Sequence, residues 1–528
     1  MAKATEARLP SDASVRAQAL AINRSFLVRA PAGSGKTGLL VQRVLALLAV
    51  VDDPEAILAV TFTRKAAAEM RARVLHALAA ASAPEPDEPH QRLTWRLAVS
   101  AQSHAQARGW DLARTPARLR VSTLDALALS LVSRMPWLSR LSAPPQPTDD
   151  PAPLYRAAAV ALFRRIEDGD DTAAAIRALL LQFDNDLERA AGEIAGLLDH
   201  RAQWLPLAAE FTALDARQRL QQAFVDQAEL DWAQWRAIIA ADPGAPATLP
   251  AATLDALPEW QALAASVLTK AGTLRKRKPA FVLADLACAA LHCIRESPPL
   301  ALSDVAWARL CHLLHLLPLA AAELQWVFHQ RGACDFTECT LAALRALGDS
   351  DNPSALAFAL DGKLQHLLVD EFQDTSAAQF ALLRRLIGDW QPGDGRTLFL
   401  VGDAVQSIYS FRHARVDLFL RMASEKHFGP VALDVLDLTA NFRSQSGMVR
   451  WCNEIFSAAF PPTAAALDGQ VAFQPAEAIH GGGETVQLHP LIANNAALEA
   501  RAVAAVVAEE RTASPSATIA ILVHNRKH

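Results

Sequence analysis

Cysteine is scarce, six in 528 residues with no Cys-x-x-Cys pair, which excludes a disulfide framework and a zinc ribbon. Cys288 and Cys293 stand five apart, as do Cys334 and Cys339, a spacing that reads as buried small apolar side chains rather than metal ligands. Excess positive charge is lacking as well. With 51 Lys and Arg against 56 Asp and Glu the chain carries −5, so it does not grip nucleic acid through bulk charge and any such site is local. The first eight residues hold no apolar stretch of the secretory kind, and the most apolar later segment, 311–322, is short and broken by His315 and Pro318. No membrane partner is expected, and a cytoplasmic location is. Charge is too low (20%) and hydrophobic content too high (52%) for wholesale disorder, and the length calls for roughly three to four lobes, Ala/Leu-rich and mostly helical.

Short β-rich apolar runs at 26–29, 57–62, 119–123, 364–369 and 397–401 each end in small or polar residues and lead into a helical pattern. That alternation predicts an α/β fold, a parallel sheet with helical crossovers. About 240 residues between the third and fourth runs show helical periodicity only, with Trp204, Trp232, Trp235, Trp260, Trp307 and Trp326, and read as a large helical insertion. The expected division is 1–135 and 336–428 for the two parts of a first lobe, 136–335 for the insertion, and 429–528 for an incomplete second lobe. Strands of that second lobe are expected at 435–438, 485–488 and 518–523.

Ala30-Pro31-Ala32-Gly33-Ser34-Gly35-Lys36-Thr37 follows the first run and opens a helix. A phosphate needs small residues so that backbone N–H groups can approach, a helix N-terminus facing it, a lysine on its outer oxygens and a hydroxyl on Mg²⁺. Lys36 and Thr37 fill the last two roles. Ala30 replaces the first glycine of the strict pattern, so the strand-loop-helix context carries the reading. At the fourth run a buried strand ends in Asp370 and Glu371, where Asp370 can reach the phosphate-bound Mg²⁺ and Glu371 can orient or deprotonate water. The fifth run leads through Gln406, a neutral amide suited to sensing a γ-phosphate, to Tyr409 and Phe411, rings on which bases can stack unless they belong to the core. Arg443 is placed to stabilise charge developing on that phosphate from across a cleft. Thr61, Phe62, Thr63, Arg64 and Thr123 lie at strand ends, where hydroxyls and cations hold a single-strand backbone, although Thr63 and Thr123 read equally well as helix N-caps. The densest basic patch, Arg275-Lys276-Arg277-Lys278, is a solvated turn or a DNA contact.

In this order the segments resemble the UvrD/Rep-type superfamily 1 DNA helicases, most of all the RecB-like branch of helicase-exonuclease V beta subunits. The resemblance implies ATP-driven 3'-5' movement on single-stranded DNA by two RecA-like lobes, in recombinational repair of double-strand breaks. ATP and Mg²⁺ are then the cofactors, and single-stranded DNA or duplex ends and a second helicase/nuclease subunit the partners. It makes Lys36 and Thr37 the Walker A pair, Asp370 the Mg²⁺ ligand, Glu371 the base, Gln406 the phosphate sensor, Phe442 the adenine-stacking ring, and Arg443 the arginine finger. Arg16 stands where the family carries its adenine-specifying glutamine, with Gln18 close by, and Ala404-Val405 replaces a more familiar dipeptide before Gln406. The later family motifs and a nuclease domain do not occur in the 528 residues, so the alternative is a truncated ATP- and DNA-binding half with little turnover alone.

Overall fold

The computed structural model describes residues 10–134, 146–208, 215–275 except 252, 281–348 except 298, 354–357, 362–461, 471–482, 486–490 and 496–523. Six strands form one parallel sheet: β1 (Phe26–Arg29), β2 (Ile57–Thr61), β3 (Arg120–Thr123), β4 (His366–Val369), β5 (Thr397–Gly402) and β6 (Asp434–Asp437). Their spatial order is β6-β1-β5-β4-β2-β3. Arg29 lies opposite Gly402, Val60 opposite Val369 and Thr61 opposite Thr123, so the carboxyl ends share one edge. Side chains alternate between two cores. Phe26, Val28, Ala59, Leu368, Phe399 and Val401 pack with the helices Lys36–Leu48, Arg64–Ala80 and Pro89–Ala107. Leu27, Leu58, Val60, Leu367, Val369 and Leu400 pack with Leu124–Arg134, Phe336–Leu347 and Ala377–Leu386. Burial on both faces is why the strands read as unbroken apolar runs.

Two basic side chains, Arg43 and His366, are folded into this lobe. Arg43 donates from its two terminal nitrogens to the carbonyls of Ala19, Ala21 and Arg24 and lies over the rings of Phe26 and Phe399, so it is held without an acid. His366 starts β4 fully enclosed, with Nδ1 2.8 Å from Thr397 Oγ1. Burial, and then the positive charge of Arg43, pull its pKa down to about 4.

The strand expected at 435–438 as the start of a second lobe is instead the edge of the first sheet, paired with β1. Its apolar residues explain the difference: Leu436 and Leu438 enter the first core, while Arg24–Asp434 and Arg29–Asp437 pairs at 2.6 and 2.5 Å fix the register. Beyond it, β7 (Ala440–Gln445) and β8 (Glu477–His480) form a separate parallel pair flanked by the helix Ser446–Ala459. The strands expected at 485–488 and 518–523 are not formed: Thr485 lies outside the described residues, and 486–488 and 518–523 have no strand geometry. Leu488 and Leu522, 78% and 95% exposed, have no neighbouring strand to offer a ladder among the described residues.

Between β3 and β4 the chain builds two helical clusters. Ala152–Arg164, Asp171–Gln182, Leu187–Asp199 and Asp304–Arg331 enclose Leu162, Ile176, Ile194, Leu316 and Leu324. The other cluster, from Ala216–Ala240, Leu257–Val267 and Asp285–Glu296, closes around Trp232, Trp260 and Leu291. Trp232 and Trp260 are core, whereas Trp326 is 57% exposed. The segment read as short and broken at Pro318 continues through it as the 28-residue helix Asp304–Arg331, long and apolar enough by length and composition to cross a membrane. Here its inner stripe, Leu316 to Phe328, fills the first cluster. Cys334 and Cys339 are buried beside each other and Cys288 is buried, while Cys293 is exposed. Arg275 turns back onto the carbonyls of Ala265 and Leu268, and Lys276, Arg277 and Lys278 lie outside the described residues.

The insertion is fastened to the lobe by a buried ion network. Arg201 forks onto both oxygens of Asp335 at 2.7 Å and reaches Glu338 at 3.2 Å, and Arg345 pairs with Glu338 from the other side. Asp335 also caps the returning helix Phe336–Leu347.

Arg201→Ala leaves Asp335 buried without its fork and is expected to lower stability by about 3–5 kcal/mol in urea unfolding; an unchanged midpoint would remove the network from the account. His366 gives a pH test. Its native ring stays neutral to about pH 4 while the unfolded ring protonates near 6.5, so stability is complete above that value and falls as pH drops from 6.5 towards 4. From pH 7 to pH 5 the wild type should lose about 2 kcal/mol more than His366→Gln.

Candidate active site

The loop leaving β1 is held on three sides. The N–H of Ala30 donates to Gly402 at the end of β5, the N–H of Phe442 to Gly33, and Nη2 of Arg16 to Ser34. Gly33 and Gly35 have φ of +79° and +76°, a left-handed backbone that L side chains rarely adopt. At Gly33 the space is closed too, since a Cβ would stand 2.7 Å from Asn441 Oδ1. The loop then opens the helix Lys36–Leu48, whose N-terminus has no side-chain cap, and the buried hydroxyl of Ser34 has no hydrogen-bond partner. Uncapped amide donors beside an orphaned hydroxyl and a lysine fit an anionic ligand.

Lys36 meets the end of β4. Its Nζ lies 2.7 Å from Glu371 Oε2, and Gln373 Nε2 donates to the same oxygen at 2.8 Å. Glu371 itself is left-handed, with φ +52°, which turns the chain sharply just after Asp370. Phe372 anchors that turn in the second core against Phe380, Phe419 and Phe428. Burial, and then the charge of Glu371, raise the pKa of Asp370 to about 6, and the same two causes do so for Asp374. Burial also raises Asp403. Four carboxylates thus crowd near a single lysine, a donor set of hard oxygens suited to a divalent cation such as Mg²⁺.

Gln406 donates to Asp403 at the end of β5. It lines a cavity of about 640 Å³ together with Ala30, Pro31, Ala32 and Arg443, so the structure brings the amide, the loop and the arginine to one cleft. Arg443 is exposed and is set in place by Asn441, whose Oδ1 accepts the N–H groups of Arg443 and Ser444 while Nδ2 donates to Ala32. Phe442 stands next to Gly35 with the Arg16 guanidinium 5.0 Å from its ring centre. Asp12 aims Arg16 through two bonds of 2.7 and 2.8 Å, and Gln18 is exposed, so Arg16 is the residue placed at the loop.

On the same sheet edge, Phe62 stacks on Tyr409 at 4.4 Å, Tyr409 lies 5.7 Å from Phe411, and Arg412 sits 5.9 Å over Phe62 and Tyr409. Phe411 is 72% exposed and faces away from any core. Arg64 is exposed nearby in sequence, whereas Thr61 is buried with its hydroxyl on Thr63. The oxygens of Thr63 and Thr123 accept the N–H groups of Ala66 and Ala126, so both serve as caps.

Sequence reasoning passed over Gln373, Asp403 and Asn441. Gln373 is the hub: it donates to Glu371 and accepts from the N–H of Asp403 at 3.0 Å, joining β4 to β5. The signal was Gly402, where a Cβ would stand 2.6 Å from Gln373 Oε1, and the Glu-Phe-Gln-Asp run, in which a glutamine follows a buried strand.

The model of the UvrD/REP helicase N-terminal domain matches residues 11–231 and 313–427. The unmatched stretch between them holds most of the second helical cluster. An ATP-dependent helicase/nuclease subunit of Lysinibacillus sphaericus is 29% identical over 517 residues, covering 83% of this chain and 39% of that protein. Proteins of the same name from Exiguobacterium sibiricum and Moorella thermoacetica are 40% and 37% identical over 128 and 161 residues, 24% and 29% of this chain and 10% and 11% of theirs. The chain therefore spans about two-fifths of the L. sphaericus relative at most. By the family match over well more than half its length, and by the parallel sheet whose loops carry these residues, the chain belongs to the UvrD/REP helicase family.

Proposed function

We propose that this chain is the ATP-binding motor portion of a DNA helicase that moves 3'-5' on single-stranded DNA in recombinational repair of double-strand breaks, in the cytoplasm and with a second helicase/nuclease subunit. The supporting observation is that the Lys36–Glu371 pair and the Phe62, Tyr409, Phe411 group leave one edge of one sheet, joined through β5 and its loop. The relatives' names, which make each a component of an ATP-dependent helicase/nuclease, support the same reading.

The backbone of Gly33 to Thr37 and the amine of Lys36 would hold the triphosphate, with Thr37 and Asp370 holding Mg²⁺, which when bound draws charge from the phosphate oxygens. Lys36 exchanges Glu371 for phosphate, and this releases the carboxylate of Glu371 to accept a proton from water while Gln373 keeps it oriented. Gln406 and Arg443 face the same cleft, Gln406 reading the outer phosphate and Arg443 offsetting its developing charge. Phe442 offers a face to the base, with Arg16 above it. Gln406, Tyr409 and Phe411 lie on one continuous loop, 403–413, so a shift at the phosphate end moves the two rings of that loop.

ATP hydrolysis by the purified chain, with and without single-stranded oligonucleotides, tests this. Glu371→Gln should bind nucleotide yet lose about 10²- to 10⁴-fold in DNA-stimulated turnover, and Lys36→Ala should lose nucleotide binding. Nucleotide binding without DNA-stimulated turnover in the wild type would favour the binding-half alternative. Phe411→Ala should weaken oligonucleotide binding by about 1–3 kcal/mol in fluorescence anisotropy, with DNA-free hydrolysis unchanged; undiminished affinity would exclude this ring from the DNA path.

A further inference from the structure

Two histidines and an aspartate from distant parts of the chain meet where the helical insertion touches the loop after β5. Asp199 ends the helix Leu187–Asp199 and His200 follows it, while His413 follows Phe411 and Arg412. His413 Nε2 is 3.4 Å from Asp199 Oδ1, and the rings of His200 and His413 stand 4.6 Å apart at 72°. One ligand atom of each residue lies within 4.8 Å of the others. Metal–ligand bonds of about 2.0–2.1 Å in a tetrahedron separate ligand atoms by about 3.4 Å, so the His413–Asp199 pair is already at that spacing and the third ligand needs a shift of at most about 1.4 Å.

The surroundings prepare the three groups. His200 Nδ1 lies 3.0 Å from the carbonyl of Gly196, which places its proton there and leaves the Nε2 lone pair free. His413 has φ +62°, a left-handed backbone that turns its ring towards Asp199. Together the three residues line a cavity of about 590 Å³ that also borders Tyr155, Phe62 and Phe411.

We propose that Asp199, His200 and His413 form a site for a divalent first-row transition ion, Zn²⁺ foremost, with a fourth position open to water from the cavity. Two imidazoles and a carboxylate prefer such an ion to Mg²⁺, which takes oxygen donors. On binding, the ion replaces the His413–Asp199 hydrogen bond; His413 gives up its Nε2 proton to solvent, carries a proton on Nδ1 instead, and offers the Nε2 lone pair to the metal. Two ligands belong to the insertion and one to the loop bearing Tyr409 and Phe411, so the ion fastens that loop to the insertion.

Co²⁺ titration of the chelator-stripped full chain is the test. One equivalent should bind with the visible d–d absorption of a four-coordinate Co²⁺ ion; Zn²⁺ should displace it and excess Mg²⁺ should not. His200→Ala and His413→Ala should each weaken binding by at least about tenfold, whereas Lys36→Ala should leave the band intact. His200→Gln, at an exposed position, serves if His413→Ala fails to fold. Absence of stoichiometric Co²⁺ binding, or a band retained in the His200 variants, would overturn the proposal.

Discussion

Every functional loop depends on the parallel register of β1, β5 and β4. Parallel strands must return by crossovers, so their carboxyl ends collect on one edge, and backbone hydrogen bonds between neighbouring strands set how far each end protrudes. With Arg29 opposite Gly402 and Val369 opposite Leu400, the phosphate loop, the Asp370–Glu371 turn and the Gln406 loop emerge side by side. A slip of one residue would turn Leu367 and Val369 into the opposite core and separate Lys36 from Glu371.

That edge is electrostatically unfavourable as it stands. Buried Asp370 and Asp374 are pushed up by the dry surroundings and by Glu371, and Glu371 holds a backbone conformation uncommon outside glycine. Such strain is tolerated because Phe372 fixes the turn in the second core and Gln373 ties it to β5. A cationic ligand relieves what the fold alone does not, which is how a site can bind tightly without being the most stable arrangement of its own residues.

Local chemistry was legible in the sequence; partnership across long distances was not. The five runs of the sheet, the phosphate loop and the carboxylate pair were readable because burial on both faces and the turn chemistry leave contiguous marks. Residues 435–438 read as an ordinary strand, but nothing local says which sheet it joins; Leu436 and the ion pairs with Arg24 and Arg29 decide that. Thr63 and Thr123 had two readings because one hydroxyl can cap a helix or meet a phosphate, and backbone geometry settles the first use. Gln373 and Asn441 escaped notice because their importance lies in bonds to Asp403 and Ala32, 30 and 409 positions away.

Strand β1 has consequences for how the chain is made. Both of its neighbours come late: Phe26 pairs with Phe399 and Asp434, so neither partner exists until about 370 residues have followed it. At a synthesis rate of about 5–20 residues per second, Phe26, Leu27 and Val28 wait roughly 20–80 s with both edges unpaired. The Gly33–Thr37 loop can therefore take its final shape only after β5 and β6 have been made, and the nascent chain must keep an apolar strand from finding the wrong partner in the meantime.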